Sequence, residues 1–441
     1  MRVFGLEYST LANRVVVLTE SDLFQSSLPV AVKSSDILVL ERPGTALATR
    51  LGLQRSISSN TDGICRRLDS DAPNLRTLGK PHVYEGVDWQ PLLHTADGRA
   101  TWVLGSHSGC RVIVIGTTLV TDLTVYRQGD ESLANHGSSR DYWGYSNERP
   151  NHLYELTAPP SGQLERQADY WAELLAATVA NAAGVRRQPI LPGGAPGALV
   201  ITGDDDQAEV ERYSLQIAAL RNLPITYFLH PKTRLTRRNM KKLFRSHGHI
   251  DLGIHPDALD SPGDYTRLFD EQCRWFRELV GSAPRSVRNH GYLNDGYWGH
   301  LGAWLAHEVR VSSNLPGVDG RVLTQSLVPM RVIKDGILTP HWSILTLFGD
   351  GMVSALGMSD QESAALFLRV CEEITASGMP GVVVINVHPQ NFPENVALHH
   401  ALQTVVDAGF LAWTISEMHQ WFKTGEFTSN RRGRISAIVR N

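Results

Sequence analysis

The sequence predicts an α/β protein in which a small N-terminal α/β sheet domain is followed by a deformed (β/α)7-type barrel. Three observations carry that expectation. Short apolar, β-branched runs alternate with polar or Gly-rich stretches in the first part, a Pro- and Gly-rich segment interrupts the chain at 184–197, and from Ala198 onward strand, loop and helix repeat. With 441 residues the chain exceeds the size at which a single core keeps growing, so more than one domain is expected.

The first domain is placed at 1–160. Its strands are RVVVL (14–18), DILVLE (36–41), TWVLG (101–105) and RVIVIGT (111–117), with helical stretches LPVAV and ALATRLGL between them, a pattern that suits a partly parallel sheet. A helix and linker follow at 161–197. In LERQADYWAELLAATVANAA (164–183) apolar residues recur at helical spacing without proline, and then Pro189, Pro192, Pro196 and four glycines between 184 and 197 give the segment linker chemistry.

From 198 to 425 the units read ALVITGDDD, a helix through QIAALRNL, ITYFLH, a helix through RRNMKKLFRSH, and IDLGIHP. TRLFDEQCRWFRELVG with SVRNHG, GHLGAWLAHE with VRVSSN, and ESAALFLRVCEEITASG with GVVVINVHP continue the series, which ends in a C-terminal tail at 426–441. Apolar strands linked by crossover helices imply a parallel sheet, and about seven of them imply its closure into a barrel.

Bulk composition narrows the function. Hydrophobic residues at 42% and charged residues at 20% describe an ordinary globular chain, and a net charge of -3 leaves no electrostatic footprint for nucleic acid or an anionic membrane. No run approaches the ~20 apolar residues of a membrane span and the N-terminus has no signal-peptide pattern, so a cytoplasmic location is the expectation. Cys65, Cys110, Cys273 and Cys371 lie far apart and form neither a thiolate metal motif nor a disulfide framework.

The polar residues that end the apolar strands carry the chemistry. Asp204 and Asp205, His255, His290 and His388 each stand where a barrel keeps its active site, at the C-terminal end of a strand. Taken alone, the carboxylates of 202–207 (TGDDDQ) suit a turn or a helix cap, and a lone histidine suits a structural role. Together, carboxylate and imidazole suit a divalent ion, with zinc the expected one.

Those residues resemble the polysaccharide deacetylases of carbohydrate esterase family 4. Thr202-Gly203-Asp204-Asp205 is similar to that family's first motif with glycine in place of the aromatic, ITYFL (225–229) to its second strand, and SHGHIDLGIH (246–255) to the approach to its metal histidine. SVRNHG (286–291) resembles the arginine motif, VVVINVHP (382–389) the motif of the catalytic histidine, and DAGFLAWTISEM (407–418) the closing strand and helix. The resemblance spans roughly 198–423. It implies a hydrolase that removes N-acetyl or a related acyl group from a carbohydrate. Asp204 would be the general base, Asp205 and His255 metal ligands, Arg288 the residue that orients the base, and His388 the general acid.

One departure matters. The second metal histidine of the family falls on Leu259, which cannot coordinate, so His290 is the expected substitute, with Asp257 and Asp260 weaker candidates. Two rival readings stand beside the deacetylase. One is a catalytically silent carbohydrate-binding protein that lost a ligand at position 259, and the other an amidase for a non-sugar amide. Tyr292, Tyr297, Trp298 and Trp342 suit either sugar platforms or core.

The N-terminal domain more weakly resembles the class I glutamine amidotransferase-like fold. Within GSHSGCRVIVIGTTL (105–119), however, Cys110 leads straight into a strand and lacks a nucleophile's turn, so no catalysis is expected of it. Ligand binding, cover for the barrel mouth, or assembly into a homo-oligomer are the roles left to this domain, with DYWGYSNERPNH (141–152) as a contact segment.

Overall fold

The computed structural model describes residues 15–19, 33–59, 63–67, 73–129, 165–245, 247, 249–317 and 325–425. LPVAV, DYWGYSNERPNH and the 426–441 tail lie outside the described residues. The chain divides into two compact units, 1–126 with 167–190, and 127–166 with 191–441.

In the first unit a seven-stranded mixed sheet is built from β1 (Val15–Leu18), β2 (Ile37–Glu41), β4 (Ile64–Arg67), β5 (Leu75–Arg76), β7 (Gln90–Thr95), β8 (Ala100–His107) and β9 (Cys110–Ile115). Its order is β1-β2-β9-β8-β7-β4-β5, parallel from β1 to β9 and antiparallel beyond. A separate ribbon pairs β3 (Gln54–Ile57) with β6 (His82–Glu85). Leu38, Leu40, Val112 and Val114 bury one face with Tyr84 and Trp89. The helix Gln167–Ala183 belongs to this unit and stacks Trp171 on Trp102 with ring centroids 5.6 Å apart.

The second unit is the barrel. Seven parallel strands close it: β10 (Gly197–Asp204), β11 (Ile225–Leu229), β12 (Ile250–Ile254), β13 (Ser286–Val287), β14 (Val311–Pro316), β16 (Ile337–Gly349) and β17 (Gly381–Asn386). Each of β10, β11 and β17 is buried along its whole length, which is why they read as continuous apolar runs and not as alternating ones. Closure is made by β10, which pairs with β17 from Gly197↔Gly381 to Thr202↔Asn386 and with β11 from Ile201↔Ile225 to Asp204↔Phe228.

The barrel is deformed in two places. β13 is only two residues long and meets β12 at the single pair Ile254↔Val287, while β18 (Leu411–Trp413) pairs with the first part of β10. β15 (Met330–Lys334) adds an antiparallel hairpin to β16.

Local sequence sets the helix ends that hold the strands in register. Ser359 with Glu362 and Thr414 with Glu417 form capping boxes, and Gly281 closes the helix Tyr265–Val280 in the left-handed conformation at φ 93°. Gly203 stands where the resembled family has an aromatic. A Cβ there would come to 3.0 Å from the Tyr227 ring and the Val387 carbonyl oxygen, a tight contact that glycine avoids.

Candidate active site

Side chains from six strand ends converge at the C-terminal mouth of the barrel. Asp204, the last residue of β10, is buried and paired on both oxygens. Its Oδ1 accepts from Arg288 Nη1 at 2.9 Å, and its Oδ2 accepts from Asn386 Nδ2 at 2.7 Å. Burial alone would raise its pKa, but the Arg288 guanidinium, helped by His255 and His388, outweighs burial and holds the carboxyl below its usual range.

Arg288 is fully withdrawn from water and held rigidly. Nε donates to the Ser313 carbonyl at 2.9 Å, Nη2 donates to Ser313 Oγ and Thr346 Oγ1 at 3.0 Å each, and the guanidinium lies 4.6 Å from the Phe228 ring centre.

Asp205 does not stand where the motif resemblance puts it. Its Oδ1 accepts from the Tyr213 hydroxyl and its Oδ2 from the His230 backbone N–H at 3.2 Å, so both oxygens are turned away from His255 and His290. Burial pushes this carboxyl up, against the opposing hydrogen bonds of Thr233, Tyr213 and His230.

Asp206 is the carboxylate that groups with His255 and His290. The chain leaves β10 through a turn in which Asp206 and Gln207 take φ of 39° and 64°, while Gln390 Nε2 donates to the Asp205 and Asp206 carbonyls at 3.1 Å each. That turn carries the Asp206 carboxylate back over the barrel mouth. Oδ1 lies 3.3 Å from His255 Nε2 and 3.8 Å from His290 Nε2, and Oδ2 lies 3.2 Å from His388 Nε2. Burial opposes ionisation of Asp206, but His255 and His388 outweigh it and hold the carboxyl far below its usual range.

Asp206, His255 and His290 form a group able to hold a metal ion. The tautomers fit. His255 Nδ1 lies 2.7 Å from the Arg288 carbonyl and His290 Nδ1 lies 3.2 Å from Asp257 Oδ1. Both oxygens only accept, so each Nδ1 carries a proton, and Nε2, the nitrogen nearer Asp206, is the one that could ligate an ion. Asp206 Oδ1 is itself buried without a hydrogen-bond partner among the described residues, as a ligand oxygen awaiting a cation would be. Leu259 packs against the core as a partly buried apolar side chain.

His388 follows β17. Its Nδ1 lies 2.5 Å from Asp350 Oδ1, and its backbone N–H donates to Asp350 Oδ2 at 2.8 Å. Burial would lower its pKa, yet Asp350 first and Asp206 after it raise the ring well above 6.5.

The aromatic residues expected at the mouth are core. Tyr292, Tyr297, Trp298 and Trp342 are all buried, so none offers an open face to a sugar ring, although Tyr292 remains part of the site wall with its hydroxyl 3.5 Å from Asn386 Nδ2.

In the first unit Cys110 opens β9 as a buried thiol that donates to the Lys33 carbonyl at 3.0 Å. Burial, together with Asp36, pushes its pKa up, the reverse of what a nucleophile needs. Three site residues escaped the sequence reading: Asp206, Asp350 and His230. Asp350 and His230 also end apolar strands, so the rule that found the others applied to them as well.

No protein-family model matches the sequence, and no curated protein does. Among solved structures the chain is similar to a candidate polysaccharide deacetylase from Mycobacterium smegmatis, at 14% identity and a TM-score of 0.41 over 56% of this chain and 99% of that one. It is also similar to the chitin deacetylase of the fungal pathogen Colletotrichum lindemuthianum, at 17% identity and a TM-score of 0.34 over 52% and 91% of the two chains. A family 4 carbohydrate esterase from Streptomyces lividans, solved with acetate, has 13% identity and a TM-score of 0.31 over 49% and 92%. Among the described residues no helix is long and apolar enough to cross a membrane.

Proposed function

We propose that this protein is a divalent-metal-dependent hydrolase that removes an N-acyl group, N-acetyl first among them, from an amino sugar or an oligosaccharide. One observation carries the reading. Asp206 stands between the Nε2 atoms of His255 and His290 on one side and that of His388 on the other, while Asp204 is locked to Arg288 beside them.

The residues divide the work. Asp206, His255 and His290 would hold the ion, and zinc suits a set of one oxygen and two imidazole nitrogens. When bound, such an ion polarises a carbonyl and acidifies water. Asp204, kept ionised in a dry pocket, takes the proton of the attacking water. His388, kept protonated by Asp350, gives a proton to the leaving amine. The sugar part of the reading rests on the motifs of 202–205, 286–291 and 382–389.

Acetate release from N-acetylglucosamine oligomers, measured alongside zinc content, tests it. Wild type should carry one zinc and release acetate. Asp204→Asn should keep the zinc and lose on the order of 10²–10⁴-fold in kcat. Asp206→Ala should lose both, whereas Asp205→Asn should keep the zinc and cost stability only. A wild-type protein that takes up no zinc would leave the silent-binder alternative standing, and zinc-dependent hydrolysis confined to non-sugar amides would shift the substrate class.

A further inference from the structure

His290 belongs to two groups with the composition of a metal site, Asp206/His255/His290 and His230/Asp257/His290. Proton positions separate them. A ring nitrogen coordinates through a lone pair, and neutral imidazole offers only one. In His290 the Nδ1 proton goes to Asp257, which leaves Nε2 for an ion beside Asp206. His230 is arranged the other way. The Lys232 backbone N–H donates to its Nδ1 at 3.1 Å, so the proton sits on Nε2, and Nε2 faces Asp257 Oδ2 at 3.3 Å. That nitrogen makes no hydrogen bond among the described residues.

Asp257 Oδ1 takes the His290 Nδ1 proton, its Oδ2 faces His230 Nε2 at 3.3 Å and Lys232 Nζ at 3.6 Å, and its backbone is clamped. Its N–H donates to Gln272 Oε1 at 2.9 Å and its carbonyl accepts from Gln272 Nε2 at 2.7 Å, while the Leu259 N–H reaches Oδ1 at 3.4 Å. His230 is buried at 1% exposure, which keeps water from competing for Asp257 on that side.

We propose that Asp257, clamped by Gln272, is the positioning residue that makes His290 a ligand. The inference rests on the metal-dependent reading above. A carboxylate behind a ligating histidine fixes its tautomer and ring orientation, and removing it costs about 10–100-fold in metal affinity. Asparagine at 257 keeps the size but offers either an oxygen or an NH2 to Nδ1, so the tautomer is no longer imposed.

The test titrates zinc into chelator-stripped full-length protein against a competing chelator and records the ¹⁵N–¹H imidazole signals of the metal-free form. Wild type should bind one equivalent and show His290 with its proton on Nδ1. Asp257→Asn should bind one equivalent about 10–100-fold more weakly and show both tautomers, and His230→Gln should weaken binding less. Asp257→Glu, which restores the charge should the asparagine variant fold poorly, should recover part of the loss. Two equivalents in wild type, one of them lost in His230→Gln, would make the second group an ion site and overturn the proposal. Unchanged zinc affinity and an unchanged His290 tautomer in Asp257→Asn would overturn it while sparing the metal reading. A wild type that binds no zinc would overturn both.

Discussion

Asp122 in the first unit and Asp204 in the barrel are both withdrawn from water, yet Asp122 is pushed up to about 6 and Asp204 is held below 3.8. Desolvation is the largest influence on each. What differs is the company. Asp122 Oδ1 accepts from the Leu78 N–H at 3.0 Å and from Thr118 Oγ1 at 2.7 Å, neutral donors that offset only part of the burial cost, with Arg42 a minor contributor. Asp204 has a full guanidinium at 2.9 Å. The histidines divide in the same way. His82, beside Arg42 and Arg55, falls to about 4 through burial first and those cations second, whereas the carboxylates around His388 lift it. Asp122 and His82 lack an opposed charge that outweighs burial, whereas Asp204 and His388 at the barrel mouth each have one within reach, the arrangement that acid–base work requires.

The largest expected effect follows from breaking that opposition at Arg288. Arg288→Met keeps much of the volume but leaves Asp204 without its cation, and stripping one partner from a buried pair costs about 3–5 kcal/mol. Asp204 is depressed in the folded state, so the stability it contributes with Arg288 is present above the unfolded carboxylate pKa and lost as pH falls through the folded one. Urea unfolding should therefore show the gap between wild type and Arg288→Met widest near neutrality and narrowing in acid. A gap independent of pH would mean that the arginine acts by packing alone.

Next comes the other charged pair of the site. Asp350→Asn removes the charge that most raises His388, so the ring should give up its proton at a lower pH. The alkaline limb of kcat against pH should move down, and kcat at pH 8 should fall on the order of 10²-fold. An unmoved alkaline limb would take the general-acid role away from His388.

The fold was open to sequence reading because the barrel strands are buried on both faces and so stand out as apolar runs, each with its polar residue at the end. The site was less open, for reasons particular to single residues. Asp206 lies in the turn beyond β10, where strand alternation no longer predicts direction, whereas a motif of adjacent aspartates names Asp205. The sequence does not display the left-handed turn at 206 and 207 that completes the swing. Asp350 was passed over because the strand before it, Ile337–Gly349, runs for 13 residues and breaks the regular spacing of the βα units. The burial of Tyr297 and Trp298 depends on packing between distant elements, which local pattern does not encode.

The smallest expected effect probes the first unit, where burial has no charge to oppose it. Asp122 has its folded pKa raised from 3.8 to about 6, so the folded state binds that proton more tightly than the unfolded chain does. Its favourable contribution is complete below the unfolded pKa and is lost as pH rises through about 6, leaving a charged, incompletely paired carboxylate at neutral pH. A shift of that size corresponds to at most about 3 kcal/mol. Asp122→Asn keeps an acceptor for Leu78 and Thr118 and discards the charge, although its NH2 must find a partner near an Oδ2 that has none among the described residues. The variant should be about 1–2 kcal/mol more stable than wild type at pH 8 and no more stable at pH 4, where wild-type Asp122 is already neutral. Melting curves at the two pH values check this. A variant destabilised equally at both would show that the carboxylate is ionised throughout and paired well enough to hold its charge, and the contrast between the two units would then lose one of its two aspartates.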